Sequence, residues 1–162
     1  MTAMRDEEIF KPKPGQTDYT NVRWAPVINC IVKYGDKILI VKRSSNMKFY
    51  PGQWNCIGGF LDDDKNLEEK VKEEMFEELE IEEKDLISMR LGEIFDFDDP
   101  GLGKTWIIHP VLAEVKTDKV VLDWEGEDYR WIKPDELTGF EITPSLKKII
   151  ADFFHLPETP QS

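Results

Sequence analysis

Apolar positions recur at two different periods along the chain, and the switches between them mark out its elements. "WAPVINCIVKYGDKILIVKRS", from Trp24, is dense in Val and Ile on both sides of Tyr34, Gly35 and Asp36, which predicts two strands around a turn. Residues 44–53 are a loop running into "YPGQW", and "WNCIGGF" is a short strand leading to two glycines. Leu67, Val71, Met75 and Leu79 then repeat every fourth residue, the stripe of an amphipathic helix. Asn66 can cap that helix, with Glu69 three residues on completing a capping-box start.

Downstream, "LISMRLGEIFDFDD", a Gly-rich turn and "KTWIIHPVLAEV" read as a hairpin, and "DYRWIKPDEL" as a strand with a turn behind it. "PSLKKIIADFF" is a second amphipathic helix through Leu146, Ile149, Ile150 and Phe153. Strands and helices mix without regular alternation, so the expected class is α/β (α+β), one mixed sheet flanked by helices. Residues 1–20, with "KPKPG", read as an extended arm, 21–156 as a single domain, and 157–162 as a tail.

Charge narrows the function. Across 162 residues the net charge is −12, with no basic stripe, which argues against gripping a nucleic-acid polymer. A phosphate-bearing ligand would need a local cation. No apolar run approaches a membrane span, and Cys30 and Cys56 sit in strand-like stretches without metal-ligand spacing, as buried thiols of a cytoplasmic protein do.

The acidic helix carries the candidate chemistry. At about 100° per residue, Glu74 and Glu78 lie beside the apolar stripe and Glu77 one step further round. Like charges at i,i+4 destabilise an exposed helix by a few tenths of a kcal/mol. A hard divalent cation would turn that repulsion into attraction, and Gly58 and Gly59 let backbone approach the helix. A solvated acidic face is the competing reading of the same residues.

The stretch resembles a Nudix box, Gly-x5-Glu-x7-Arg-Glu-U-x-Glu-Glu-x-Gly-U with U aliphatic. Gly59, Glu74, Met75, Glu77, Glu78 and Ile81 match it. Lys65, Glu73 and Glu80 depart from it, standing where the family has Glu, Arg and Gly. The likeness extends over roughly residues 22 to 155 and implies a Nudix-like α/β/α sandwich. It also implies Mg²⁺- or Mn²⁺-dependent hydrolysis of a nucleoside diphosphate linked to another group, such as ADP-ribose, a related nucleotide or an oxidised one.

By that resemblance Glu74, Glu77 and Glu78 are the catalytic residues and, with the Gly58 carbonyl, the metal ligands. The family's Glu and Arg brace the loop against the helix. Lys65 and Glu73 invert both signs and stay complementary, so they read as a reversed brace. The metal ligand lost at Lys65 would fall to Asp62, Asp63 or Asp64. Glu77 or an acid of "DWEGEDYRW" (Glu125, Glu127 or Asp128, with Glu127 preferred) is the expected base.

Arg43 and Lys48 are candidates to meet phosphates, and Trp54 or Trp106 to stack on a base. The partner is a small-molecule nucleotide, and a homodimer is compatible with the family. A nucleotide-binding module that does not cleave is the alternative; an isoprenoid diphosphate isomerase has only Cys56 in its favour. "DPGLGKT" lacks the first glycine of a phosphate-binding P-loop and reads as a turn, and His109 as structural.

Overall fold

The computed structural model describes residues 17–156. The tail and most of the arm therefore lie outside the described residues. The strands described are β1 (Trp24–Tyr34), β2 (Lys37–Arg43), β3 (Trp54–Asn55), β4 (Ile57–Phe60), β5 (Leu86–Leu91), β6 (Phe95–Asp99), β7 (Lys104–Val115) and β8 (Gly126–Ile132). Two α-helices accompany them, α1 (Leu67–Leu79) and α2 (Leu146–Phe154).

All eight strands join one mixed sheet, ordered β3-β2-β1-β7-β5, with β4 on β1, β6 on β7 and β8 on β2. β1 and β7 run parallel through ten registers, from Trp24 with Thr105 to Lys33 with Glu114. The other pairings are antiparallel. β1 and β7 are near-continuous apolar runs because both of their faces are covered. Ala25, Ile31, Ile38 and Ile40 meet Leu146, Ile149, Ile150 and Phe153 of α2 on one face. Ile28, Cys30, Val32 and Leu39 meet Val71, Met75 and Leu79 of α1 on the other. The result is the expected α/β/α sandwich.

Three local expectations change. "WNCIGGF" is not one strand: it breaks at Cys56, β3 pairing with β2 and β4 with β1. Gly58 and Gly59 lie within β4 rather than beyond the end of a strand. The expected hairpin after residue 86 is three strands, since β5 and β6 both line up along the long β7.

The last residues expected in the arm are docked. Tyr19 is buried and stacks on Phe60 with ring centroids 4.5 Å apart, so the packed body begins before residue 21. The ammonium of Lys104 holds this segment by donating to the carbonyl oxygens of Tyr19, Thr20 and Val22. "DPGLGKT" is thus the β6–β7 turn, with Gly103 at φ +64, and its lysine points inward to backbone oxygens.

Candidate functional site

α1 starts where the sequence places it. Asn66 Oδ1 accepts the Glu69 N–H at 2.9 Å, and Asn66 Nδ2 donates to Glu69 Oε1 at 3.0 Å. The apolar stripe presses the helix onto the sheet, and the glycines set how closely. A Cβ on Gly59 would lie 2.4 Å from Glu74 Oε1, and one on Gly58 would lie 2.1 Å from the Ile28 carbonyl oxygen. Both distances are far inside van der Waals contact: Gly58 lets β4 lie close against the β1 backbone, and Gly59 leaves the Glu74 carboxylate its present place against β4. The helix ends at Glu80 in the left-handed region, φ 55 and ψ 32, the conformation usually reserved for glycine.

On the exposed side of that contact, Glu73, Glu74 and Glu77 each offer an oxygen, all within 4.8 Å of one another. Three hard oxygen donors on one narrow face suit Mg²⁺ or Mn²⁺. Glu74 and Glu77 of the expected set belong to this cluster, and Glu78 lines the cavity beside them. Glu78 Oε2 accepts the Gly58 N–H at 3.3 Å, and its carboxyl faces the charges of Glu125 and Glu74. Glu73, at the family's arginine position, is the third member of the tight cluster.

Two lysines thread these acids. Lys65 Nζ lies 2.7 Å from Glu73 Oε2, the pair read from the sequence as a reversed brace. Lys70, only 1% exposed, was not foreseen. Its Nζ lies 2.9 Å from Asp63, 3.6 Å from Glu74 and 3.8 Å from Glu73. Burial alone would lower the Lys70 pKa, but Asp63, Glu74 and Glu73 outweigh it and hold the ammonium above its ordinary value. Asp63 is therefore engaged by lysine, and Asp62 Oδ2 accepts the Thr17 N–H at 3.3 Å. Neither aspartate joins the cluster as a replacement ligand, nor does Asp64.

Glu74, Glu77 and Glu78 form one end of a cavity of about 290 Å³. Phe49, Tyr50, Phe60 and Trp106 line its apolar wall, Asp123 and Glu125 extend the acidic end, and Arg43, Lys48 and Trp124 also line it. Phe49 meets Trp106 edge-on at 5.1 Å. Trp106 Nε1 donates to the Tyr50 hydroxyl at 3.1 Å, which donates to Asp99 Oδ2 at 2.6 Å, so the wall is held rigidly. Arg43 donates from Nε to the Phe49 carbonyl at 2.8 Å and faces the charges of Glu78 and Glu125.

Burial and mutual repulsion perturb the acids. Burial first, then Glu125 and Glu77, push Glu74 up to about 7 against the pull of Lys70. Glu78 is driven well above the usual carboxylate range by burial, then by the charges of Glu125 and Glu74. Burial also raises Glu125 and Asp123. Groups so displaced cluster at sites that move protons or bind cations.

Two expected site residues fall outside the cavity. Trp54 packs edge-on to Phe140 at 5.2 Å, with Arg130 over its ring, because the break at Cys56 puts β3 on β2. Glu127 occupies the β2–β8 irregularity and pairs with Lys42 at 3.6 Å, leaving Glu125 as the acid that faces the helix. Cys56 is buried outside the cavity with its thiol pushed up to about 12, mainly by burial, so it supports no isomerase. His109 Nδ1 lies 3.2 Å from the Val27 and Ile107 carbonyl oxygens, a structural setting.

Residues 23–153 match the family model of the NUDIX domain. The chain belongs to the Nudix family. Among its relatives, nucleoside triphosphatase NudI of Escherichia coli O139:H28 is 23% identical over 141 residues, covering 80% of this chain and 96% of the relative. The MutT NUDIX hydrolase of Burkholderia pseudomallei superposes with a TM-score of 0.69 at 22% identity, covering 80% of this chain and 98% of that one. The NUDIX domain of Shewanella oneidensis NrtR, solved with ADP ribose, superposes with a TM-score of 0.67 at 17% identity, covering 80% and 86%. These likenesses are to the Nudix fold. Among the described residues no helix is long and apolar enough to cross a membrane.

Proposed function

We propose that this Nudix protein is a divalent-metal-dependent hydrolase of the pyrophosphate bond in a nucleoside diphosphate linked to another moiety. One observation carries the reading: Glu74 and Glu77 of the oxygen cluster, together with Glu78, line an aromatic-walled cavity large enough for a base. When bound there, Mg²⁺ or Mn²⁺ would neutralise phosphate charge and acidify a water.

The chain's own residues do the rest. Phe49, Tyr50 and Trp106 offer a flat apolar wall for a base. Lys48 at the rim and Arg43 within supply the cations that a phosphate needs in so acidic a protein. Glu78 and Glu125 lie together at the acidic end of the cavity, where a carboxylate can take a proton from water once a bound cation offsets the burial and repulsion that raise both groups. Glu77 is the exposed member of the cluster and stands nearest to solvent-borne substrate.

A binding module that does not cleave is the second reading, favoured by one observation. Two lysines already neutralise part of the acidic cluster. A panel of nucleotide sugars, dinucleotides, nucleoside triphosphates and oxidised nucleotides with Mg²⁺ and Mn²⁺ separates the two. Hydrolysis, with turnover reduced about a hundredfold or more in Glu77→Gln and in Glu78→Gln, supports the hydrolase. Tight nucleotide binding with no product from any compound supports the module.

A further inference from the structure

Lys70 falls at one of the box's unspecified positions, yet it is among the most deeply buried side chains of the protein. Its place follows from helix geometry: Glu73 and Glu74 lie three and four residues on, so all three project along the same face. Asp63, from the loop before the helix, closes the group from the other side at 2.9 Å. The Glu74 oxygen nearest Lys70, Oε1 at 3.6 Å, is also the oxygen that Gly59 leaves room for. Lys70 and a divalent ion would therefore draw on the same carboxylate.

We infer that Lys70 is a tethered counter-cation of the metal site, holding Glu73 and Glu74 together without metal and weakening divalent binding by competing for Glu74. The inference rests on the metal-dependent reading proposed above. Without Lys70, the three glutamates would repel one another with Lys65 alone offsetting their charge, and an arriving cation would relieve more of that repulsion. With the ammonium in place, part of the relief is already supplied, and the ion also meets a like charge close by. Asp63 gives the displaced ammonium a second partner, so metal can bind without leaving a buried charge unpaired.

Mn²⁺ binding measured by calorimetry and by loss of the free-ion EPR signal tests this on the native chain, Lys70→Met and Lys70→Arg. Lys70→Met should melt lower without metal, yet bind Mn²⁺ about tenfold tighter or more and show a larger metal-induced rise in melting temperature. Lys70→Arg, which keeps the charge, should stay near the native dissociation constant. A purely structural lysine would lower the melting temperature of Lys70→Met and leave its affinity unchanged or weaker, which overturns the inference. A readout on the native chain covers failure of the variants to fold. Mg²⁺ titration should move the Lys70 side-chain NMR resonances as the ammonium leaves Glu74, and resonances fixed at saturating Mg²⁺ would overturn it. Absence of any Mn²⁺ binding by the native chain would remove the metal reading itself.

Discussion

Without metal, the protein should lose stability as pH rises through neutrality, contrary to the common gain on leaving acid. The perturbation is ionisation of Glu74, whose carboxyl is raised from an ordinary 4.5 to about 7 by burial beside Glu125 and Glu77. The unfolded chain ionises this group near 4.5, while the folded chain keeps it protonated to about 7. Between those values the folded state holds more protons, so each step up in pH favours unfolding. The contribution is fully present below 4.5 and lost by about 7. At about 1.4 kcal/mol per pH unit of separation, Glu74 accounts for about 3 kcal/mol at most. For a domain of this size that is a fall in melting temperature of about 5–10 °C. Glu78 and Glu125 act with the same sign. Asp63 and Asp128, whose pKa values are lowered, act at more acid pH and do not cancel it. Melting curves in EDTA from pH 4.5 to 8 measure the effect. Saturating Mg²⁺ should reverse the slope, because metal binds the deprotonated carboxylates. Glu74→Gln should flatten the curve in EDTA. A metal-free midpoint that holds or climbs from pH 5 to 7.5, or an unchanged slope in Glu74→Gln, would refute the reasoning.

The other expectations concern the ends of α1. Lys65→Glu and Glu73→Arg should each lower the melting temperature, Glu73→Arg more, since the buried Lys70 also loses a partner. The double variant should recover part of the loss, and strictly additive effects in a double-mutant cycle would exclude a coupled pair. Glu80→Gly relieves a left-handed residue at φ 55 and should stabilise the fold by about 1 kcal/mol, read as a rise of a few degrees in thermal melts.

The sequence disclosed the elements whose signal is local. The four-residue stripe and the Asn66–Glu69 cap defined α1 within a residue, and the β1–β2 turn at Gly35 was legible from its chemistry alone. What it concealed depends on long-range placement. Cys56 has no property that marks a strand break; only the different partners of β3 and β4 reveal it, and Trp54 leaves the site as a result. Glu125 and Glu127 are indistinguishable by composition; Glu127 falls at the irregularity against β2, whereas Glu125, just before β8, lines the cavity. Lys70 resembled any solvated lysine on a charged helix, since its burial requires Asp63 from the preceding loop. The family box drew attention to Glu74, Glu77 and Glu78, and has an arginine where Glu73 stands beside Glu74 and Glu77.

The parallel seam between β1 and β7 governs how this chain acquires its structure. Arg23 and Thr105, hydrogen-bonded at 3.0 Å, are 82 positions apart, and the seam they begin is the longest paired segment of the sheet. Such a contact requires a large loop to close before any of its bonds can form, which slows folding relative to local pairings. The β1–β2 hairpin has no such delay. On a ribosome adding roughly 5–20 residues per second, β1 would emerge several seconds before its parallel partner, with its Val- and Ile-rich edge unpaired. Early refolding is therefore expected to show the hairpin first and the central seam last, and the interval between them is when this protein is most exposed to aggregation and to chaperones.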